Sequence, residues 1–256
     1  GAARLTGIDM SDSLILTLLI LFVTHVVGGL AAFGSTLLAL PLMLLLAGWE
    51  LRPAVGMLLI VGSVQAVSMA FLAGRGADRR ALLRMLVVAG LGLPVGFLFA
   101  GVFPETGLQV LLGLILAGAG STRLIEHRHG TEWQPPAWVL WILLGAGGII
   151  HGAFGSGGAT LTVYGRYALK TKEAFRGTLS IVWVVLNVFV IAGLIAEGQV
   201  GRETAAIAVP CAVTILAATW LGHRLAGCLS QERFRDVVAI MLVIAGGTTV
   251  VRCVLI

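Results

Sequence analysis

The segment His151-Gly-Ala-Phe-Gly-Ser-Gly-Gly-Ala-Thr160 interrupts a long apolar run that extends from Ala137 to Leu169. Each glycine weakens a helix by about 1 kcal/mol relative to alanine, so a cluster of this kind predicts a break in the helix. The same pattern stands earlier in the chain as Gly28-Gly-Leu-Ala-Ala-Phe-Gly-Ser-Thr36. When the two Ala-Phe-Gly-Ser segments are aligned, Gly56 also falls on Gly177. The sequence therefore predicts an internal repeat with one helix break in each copy.

The composition indicates a membrane protein. Hydrophobic residues make up 58% of the chain and charged residues only 11%, whereas a soluble domain carries about 25% charged residues. Apolar runs of about 20 residues recur along the sequence, as expected of transmembrane helices. The net charge of +5 does not indicate nucleic-acid binding, because the basic residues are spread over the loops between these runs. The three cysteines have no metal-type spacing, so we expect neither a metal nor a cofactor.

The loops between the apolar runs predict the topology. Two runs, 14–47 and 137–169, exceed 30 residues, and each is one long helix, two helices or a hairpin that enters and returns. Four loops are basic, and the positive-inside rule places them in the cytoplasm. They hold Arg75, Arg79, Arg80 and Arg84; Arg123 and Arg128; Arg166, Lys170, Lys172 and Arg176; and Arg224, Arg233 and Arg235. Each long run must then begin and end on the same side as a hairpin, and the two hairpins enter from opposite faces.

The predicted fold is an all-α polytopic membrane protein built from two inverted repeats. Each repeat is a broken helical hairpin followed by three transmembrane helices. The first repeat covers residues 1–121, a cytoplasmic linker covers 122–136, and the second repeat covers 137–256. Inverted repeats with interrupted helices in matching positions are typical of secondary transporters. The topology places both termini outside.

With this repeat in place, the chain resembles a known family over essentially its whole length. The segments Gly28–Pro41 and Gly148–Thr160 are similar to those of the TauE/SafE family of sulfite and organosulfonate exporters. The resemblance implies export of a small sulfur-containing anion, such as sulfite, sulfoacetate or a related carboxylate, across the bacterial inner membrane. The first copy has Ser35-Thr36-Leu37 where the second has Ser156-Gly157-Gly158, so the two copies need not bind substrate equally.

The two breaks also predict where an anion binds. A helix that begins at bilayer depth presents free N–H groups and a partial positive charge, which together favour an anion. Hydroxyl groups beside the breaks and an amide on the helix after each hairpin add further donors. The candidate substrate ligands are Gly34, Ser35, Thr36, Gln65, His151, Gly155, Ser156, Gly157, Gly158, Thr160 and Asn187. The alternatives are that the glycines only allow close helix packing, as we expect for Gly92-x-x-x-Gly96, and that the amides only bond within the bundle.

Histidine and arginine side chains suggest two further roles. His25 and His151 precede the Gly-Ser elements and are candidates for carrying a coupling proton. The alternative is a neutral histidine bonded to a backbone carbonyl, which is favoured for His25. Arg84 and Arg176 begin helices at the cytoplasmic face and are candidates for an anion-attracting vestibule. For these arginines, snorkelling to the lipid headgroups is the favoured alternative.

The leading functional hypothesis is a secondary exporter that works by alternating access around the two breaks. Its partners are a small anion and the lipid bilayer, and a homodimer is one of the assemblies that the sequence allows. The alternative is an anion channel built on the same broken helices. All acidic residues lie in tails, in loops or at their edges, which disfavours cation transport. An enzyme is not expected, because the membrane spans lack a nucleophile–base pair and a set of metal ligands.

Overall fold

The computed structural model describes residues 10–31, 35–73, 76–129, 135–225 and 231–255. These ranges are almost entirely α-helical and contain no strand. The helices along them are α1 Met10–Ala31, α2 Ser35–Leu46, α3 Leu51–Ala73, α4 Arg79–Val102, α5 Glu105–His129, α6 Ala137–Phe154, α7 Gly158–Ala168, α8 Lys172–Ala196, α9 Arg202–Leu225 and α10 Gln231–Leu255.

Helices of transmembrane length dominate the molecule. Within the described ranges, six are long and apolar enough to cross a membrane: Leu51–Leu72, Arg79–Val102, Glu105–Arg128, Ala137–Phe154, Glu173–Ala196 and Thr204–Leu225. The outward face of α4 is apolar, since Leu83, Leu91 and Leu98 are 64%, 73% and 67% exposed. Contiguous apolar surface of this kind is unfavourable in water and is accommodated by lipid. The predicted class, an all-α polytopic membrane protein, is confirmed.

The second long apolar run is broken into two helices, as predicted. The predicted break in the first run falls on residues 32–34, between α1 and α2, which lie outside the described residues. In the second run, Gly155 follows α6 in the left-handed conformation with φ 61° and donates its N–H to the carbonyl oxygen of His151 at 2.8 Å. Only glycine adopts this conformation without strain. A Cβ at Gly157 would overlap the carbonyl oxygen of Gly147, so the close approach of α6 and α7 also depends on glycine.

Contacts between loops define the two ends of the molecule. Arg52, at the start of α3, forms an ion pair with Glu197 at the end of α8. Asp78, just before α4, donates its backbone N–H to Thr178 Oγ1 near the start of α8 at 2.9 Å. We call the end at which α4 and α8 begin the basic end. Its described basic residues are Arg79, Arg80, Arg84, Arg123, Arg128, Arg166, Lys170, Arg176 and Arg224.

The two hairpins enter from opposite ends. A Cβ added at Gly92 of α4 would meet the backbone of Gly145, and one added at Gly96 would meet that of Ile149. Because the contacting residue numbers increase in the same direction along both helices, α6 runs parallel to α4 and begins at the basic end. α1 begins at the other end, where Trp49 Nε1, between α2 and α3, donates to Thr17 Oγ1 at 3.0 Å. This is the inverted arrangement that the sequence predicts.

The halves also pack in matching pairs. α4 lies on α6 as α9 lies on α1, while α3 packs against α8 and α5 against α10. At each hairpin the helices approach closely through glycine: a Cβ at Gly96 would overlap the backbone of α6, and one at Gly222 of α9 would overlap the Val26 carbonyl of α1. Small residues at such contacts allow close helix packing in membranes. The packing role predicted for Gly92-x-x-x-Gly96 is confirmed.

α5 is longer than the apolar run that predicted it. It continues through His129, into the segment 122–136 that the sequence assigns to a linker. Its last turns are joined to α10, because Asp236 lies 3.4 Å from Arg123 and 3.5 Å from His127. These contacts stabilise polar helix turns beyond the apolar run. The division into 1–121 and 137–256 stays a prediction.

Candidate functional site

A cavity of about 50 Å³ lies between α3 and α8, and both α2 and α7 begin beside it. A single water molecule needs roughly 10–15 Å³ on this measure, so the cavity has room for a small ligand. Predicted site residues make up much of its wall: Ser35, Thr36, Gln65, His151, Gly155, Gly158 and Asn187. The structure therefore brings residues of both predicted breaks to one place.

The other predicted ligands do not line the cavity or lie outside the described residues. Gly34 is outside the described residues. Ser156, Gly157 and Thr160 belong to the second break but do not line the cavity. Thr160 Oγ1 donates to the carbonyl oxygen of Gly157 at 3.2 Å. Ser156 is 3% exposed, and its hydroxyl oxygen has no hydrogen-bond partner.

Two helix N-termini meet at this cavity. The first turn of any helix has backbone N–H groups without a carbonyl partner in the helix, and the helix dipole adds a partial positive charge there. α2 begins with Ser35 and α7 with Gly158, and both residues line the cavity. No side chain caps the start of α7, whose N-cap is Gly157. The local chemistry therefore suits a small anion.

His151 lines this cavity and carries a buried ring nitrogen without a hydrogen-bond partner. The side chain is 2% exposed, and its Nδ1 accepts a hydrogen bond from the backbone N–H of Gly157 at 3.4 Å. In the neutral ring the proton then lies on Nε2. The Asn187 side chain lies nearby, but no hydrogen bond of normal geometry reaches His151 Nε2. A buried N–H without an acceptor is costly, typically about 1–3 kcal/mol, and a bound anion would satisfy it.

The Gln65 amide is occupied by protein partners. Its Oε1 accepts from Ser35 Oγ at 2.6 Å, and its Nε2 donates to the carbonyl oxygen of His25 at 2.8 Å and to Thr219 Oγ1 at 3.2 Å. These bonds join α3 to α1, α2 and α9. Gln65 therefore fixes the first hairpin within the bundle, as expected for an amide that bonds only within the bundle.

Asn187 bonds differently from its counterpart in the first half. Its Nδ2 donates to Ser63 Oγ at 3.0 Å and to the carbonyl oxygen of Leu59 at 3.3 Å, both on α3. These bonds join α8 to α3 rather than to the hairpin of its own half. Both donors of this amide are therefore directed to α3 and not to the second hairpin.

Comparison with known proteins identifies the family. The family model described as Sulfite exporter TauE/SafE matches residues 16–249, which is nearly the whole chain. The chain belongs to the TauE/SafE family. Neither the curated proteins nor the solved structures contain a match to it. The family and the six apolar helices of the described ranges make this chain a multi-pass membrane transporter.

His25 of this TauE/SafE transporter is not among the residues that line the cavity. It is 0% exposed, and its Nδ1 donates to the carbonyl oxygen of Leu21 at 2.8 Å. This is the backbone-bonded geometry of the alternative that the sequence favours for His25. Its Nε2 has no partner, yet His25 does not line the cavity, so only His151 is in position to meet a ligand there.

The two arginines predicted for a vestibule differ in environment. Arg84 is exposed on α4. Arg176 is partly buried and donates through a guanidinium nitrogen to the carbonyl oxygen of Gly29 at 2.8 Å. Gly29 lies in the last turn of α1, where carbonyl groups lack partners within the helix and favour a cation. Arg176 therefore stabilises the end of α1, and the vestibule role stays a prediction for both residues.

The TauE/SafE cavity also contains residues that the sequence did not single out. Ser180 and Trp183 line it beside Asn187, and Gly62 and Met69 line it on α3. The spacing of 180, 183 and 187 places these residues on one helix face, so the polar Asn187 was a signal that could have found them. Thr219, which bonds Gln65 from α9, had no such signal.

The described residues contain no cluster of side chains that would bind a metal ion. No three His, Cys, Asp or Glu side chains lie together there in a group that could hold a metal ion. Within the same residues, no acidic side chain lines the cavity.

Proposed function

We propose that this TauE/SafE transporter exports a small sulfur-containing anion, such as sulfite, sulfoacetate or a related organosulfonate or carboxylate. The anion binds in the cavity where α2 and α7 begin. One observation carries the proposal: the buried donor His151 Nε2 makes no hydrogen bond of normal geometry and belongs to a residue that lines this cavity. Sulfite and sulfonate oxygens accept several hydrogen bonds and need no full counter-charge, so helix N–H groups and an imidazole N–H suit them.

Alternating access is the mechanism that fits this arrangement best. The cavity extends towards the basic end, since Met69 near the end of α3 and Ser180 near the start of α8 line it. Towards the other end, Val55 and Leu59 lie against Gly155 and are 3% and 1% exposed. The proposed cycle loads the anion from the basic end. It then rearranges the second hairpin so that the opposite end opens, which we call the packed end because Val55 and Leu59 are buried there.

The proposed orientation follows from the loop charges. The positive-inside rule places the basic end in the cytoplasm of a bacterial inner membrane, so the packed end faces the periplasm. α1 begins and α10 ends at the packed end, because Trp49 bonds Thr17 and Arg252 donates to the carbonyl oxygen of Leu44 at 2.8 Å. Both termini are then periplasmic. In this orientation the cavity is loaded from the cytoplasm, as an exporter requires.

Proton coupling through His151 is the second part of the proposal. An imidazole that gains a proton on Nδ1 exchanges its hydrogen bond with Gly157 for a positive charge beside the anion. Anion and proton would then bind together and leave together. The geometry makes His151 the better candidate than His25, which donates to a carbonyl of its own helix.

Flux measurements in proteoliposomes test the function directly. Purified protein would be reconstituted, the vesicles loaded with sulfite, sulfoacetate, taurine or chloride, and a pH gradient imposed. We expect saturable, gradient-dependent movement of a sulfur-containing anion. Non-saturating flux that admits chloride equally would favour the channel, and the absence of any anion flux would contradict the proposed substrate class.

A further inference from the structure

Two residues at equivalent positions of the repeat line the cavity but differ greatly in side-chain size. Gly62 on α3 and Trp183 on α8 are 121 positions apart, the same offset as Gly56 and Gly177. Both line the cavity. One wall therefore carries an indole ring where the other carries only a hydrogen atom, although the two halves repeat one design.

Trp183 is packed against a proposed anion ligand. The centroid of its indole ring lies 5.6 Å from that of the His151 imidazole, with an angle of 33° between the ring planes. Ser180 and Asn187 lie on the same face of α8 and also line the cavity. A tryptophan has few rotatable bonds and a large volume, so it forms a stiff boundary beside the histidine.

Gly62 leaves real space rather than allowing two helices to touch. A Cβ added there would meet only Asn187 Nδ2 at 3.8 Å, an ordinary van der Waals distance. Glycines that serve helix packing in this protein behave differently, since a Cβ at Gly92 would lie 2.7 Å from the carbonyl oxygen of Gly145. The missing side chain at Gly62 therefore enlarges the cavity and is not needed for the fold.

We propose that Trp183 and Gly62 together set the size of the anion that the cavity accepts. Trp183 limits the space beside His151, and Gly62 leaves open the space beside Asn187 that a substituent on the sulfur atom occupies. The inference rests on the proposed function and adds its size determinant. Sulfite has no such substituent, whereas sulfoacetate carries a carboxymethyl group.

The test compares sulfite and sulfoacetate flux in proteoliposomes for wild-type protein, Gly62→Ala and Trp183→Phe. One methyl or methylene group in a fitted pocket changes discrimination by roughly tenfold or more. We expect Gly62→Ala to lower the sulfoacetate-to-sulfite flux ratio by about that factor, and Trp183→Phe to raise it. Gly90→Ala is the matched control, because it makes the same change inside α4 at a site with nothing within 4 Å of the new methyl group.

The outcomes separate this inference from the function on which it rests. A flux ratio that stays at the wild-type value in Gly62→Ala, or that shifts equally in Gly90→Ala, would overturn the size filter and leave the exporter intact. If Trp183→Phe does not insert into membranes, Gly62→Ala decides alone. Wild-type protein that moves neither anion would overturn the proposed function and the size filter together.

Discussion

The two helix breaks begin from nearly the same sequence and end in different states of hydrogen bonding. At the first break, Ser35 donates to Gln65, and Gln65 donates to the backbone of α1 and to Thr219 of α9. At the second break, Ser156 Oγ and His151 Nε2 are buried without partners. Each unsatisfied buried group costs about 1–3 kcal/mol. The first hairpin is therefore fixed in the bundle, while the second retains donors for a ligand.

This difference indicates that the two copies of an internal repeat can contribute unequally to one function. The alignment pairs Ser35 with Ser156, but the first serine is already bonded and the second is not. Transporters with inverted repeats require one part to move against another around the bound substrate. We infer that the first hairpin belongs to the scaffold and the second to the part that binds substrate and moves.

Gly155→Leu should have the largest effect on the second break. The residue has φ 61°, where leucine is strained by about 1–2 kcal/mol, and its Cβ would lie 3.0 Å from Leu59 Cδ2. We expect at least a tenfold loss of sulfite flux, roughly the effect of 1.4 kcal/mol on the active conformation. Flux in proteoliposomes measures the loss, and membrane insertion is checked by the amount of purified protein.

The control for this prediction is Gly198→Leu. Gly198 also has positive φ, at 71°, but nothing lies within 4 Å of its added Cβ and it is in the exposed connection after α8. Similar strain there should leave the flux near the wild-type value. Equal losses in both variants would mean that backbone strain alone, and not the second break, explains the result.

The two histidines provide the next comparison. His151→Gln removes the imidazole from the cavity wall and should reduce sulfite flux by roughly tenfold, because hydrogen bonds to charged groups are worth about 1.5–3 kcal/mol. It should also flatten the pH dependence of flux if His151 carries the coupling proton. The measurement is the initial rate of sulfite efflux across a series of pH values.

His25→Gln serves as its counterpart at the first hairpin. This change replaces the bond to the Leu21 carbonyl, and neither His25 nor Leu21 lines the cavity, so the pH profile of flux should keep its wild-type shape. A flat profile in His25→Gln together with a wild-type profile in His151→Gln would reverse our assignment of the proton carrier.

The paired serines give the smallest expected change and the sharpest contrast. Ser35→Ala leaves Gln65 Oε1 without its donor and should lower the free energy of unfolding by about 1–3 kcal/mol. Ser156→Ala removes a buried hydroxyl group that has no partner, so stability should be kept or rise, because the cost of that unsatisfied group disappears, while sulfite flux falls by a few-fold. Thermal unfolding in detergent and flux in proteoliposomes separate the two effects. The opposite pattern, with stability lost only in Ser156→Ala, would contradict the comparison.

The sequence was sufficient to predict the second break, but not the different hydrogen bonds of Ser35 and Ser156. Clustered glycines at bilayer depth weaken a helix wherever they occur. The glycines around Gly155 therefore predict the turn from local sequence alone. The partner of Ser35 lies 30 positions away on α3, and Gln65 in turn meets Thr219, which is 154 positions further on. Such bonds depend on how whole helices pack, and no local pattern encodes them.

The amides illustrate the same limit. Gln65 and Asn187 were predicted as a symmetric pair, and both line the cavity. However, Gln65 bonds its own hairpin whereas Asn187 bonds Leu59 and Ser63 on α3. The one-position offset between them is enough to turn the two side chains towards different neighbours, since each residue rotates a helix face by about 100°. Trp183 was missed because an aromatic residue in an apolar helix is as typical of a lipid-facing or core position as of a site.

The most direct measurement of the central claim is the position of a bound anion. Selenite has the shape and charge of sulfite, and the anomalous scattering of selenium would locate it in crystals of the protein. We predict one selenium peak in the cavity, at a position that brings the selenite oxygens within hydrogen-bond distance of His151 Nε2 and the first N–H groups of α7. A peak at the start of α2 alone, at Arg176, or nowhere in the cavity at saturating selenite would contradict the claim that the second break binds the substrate.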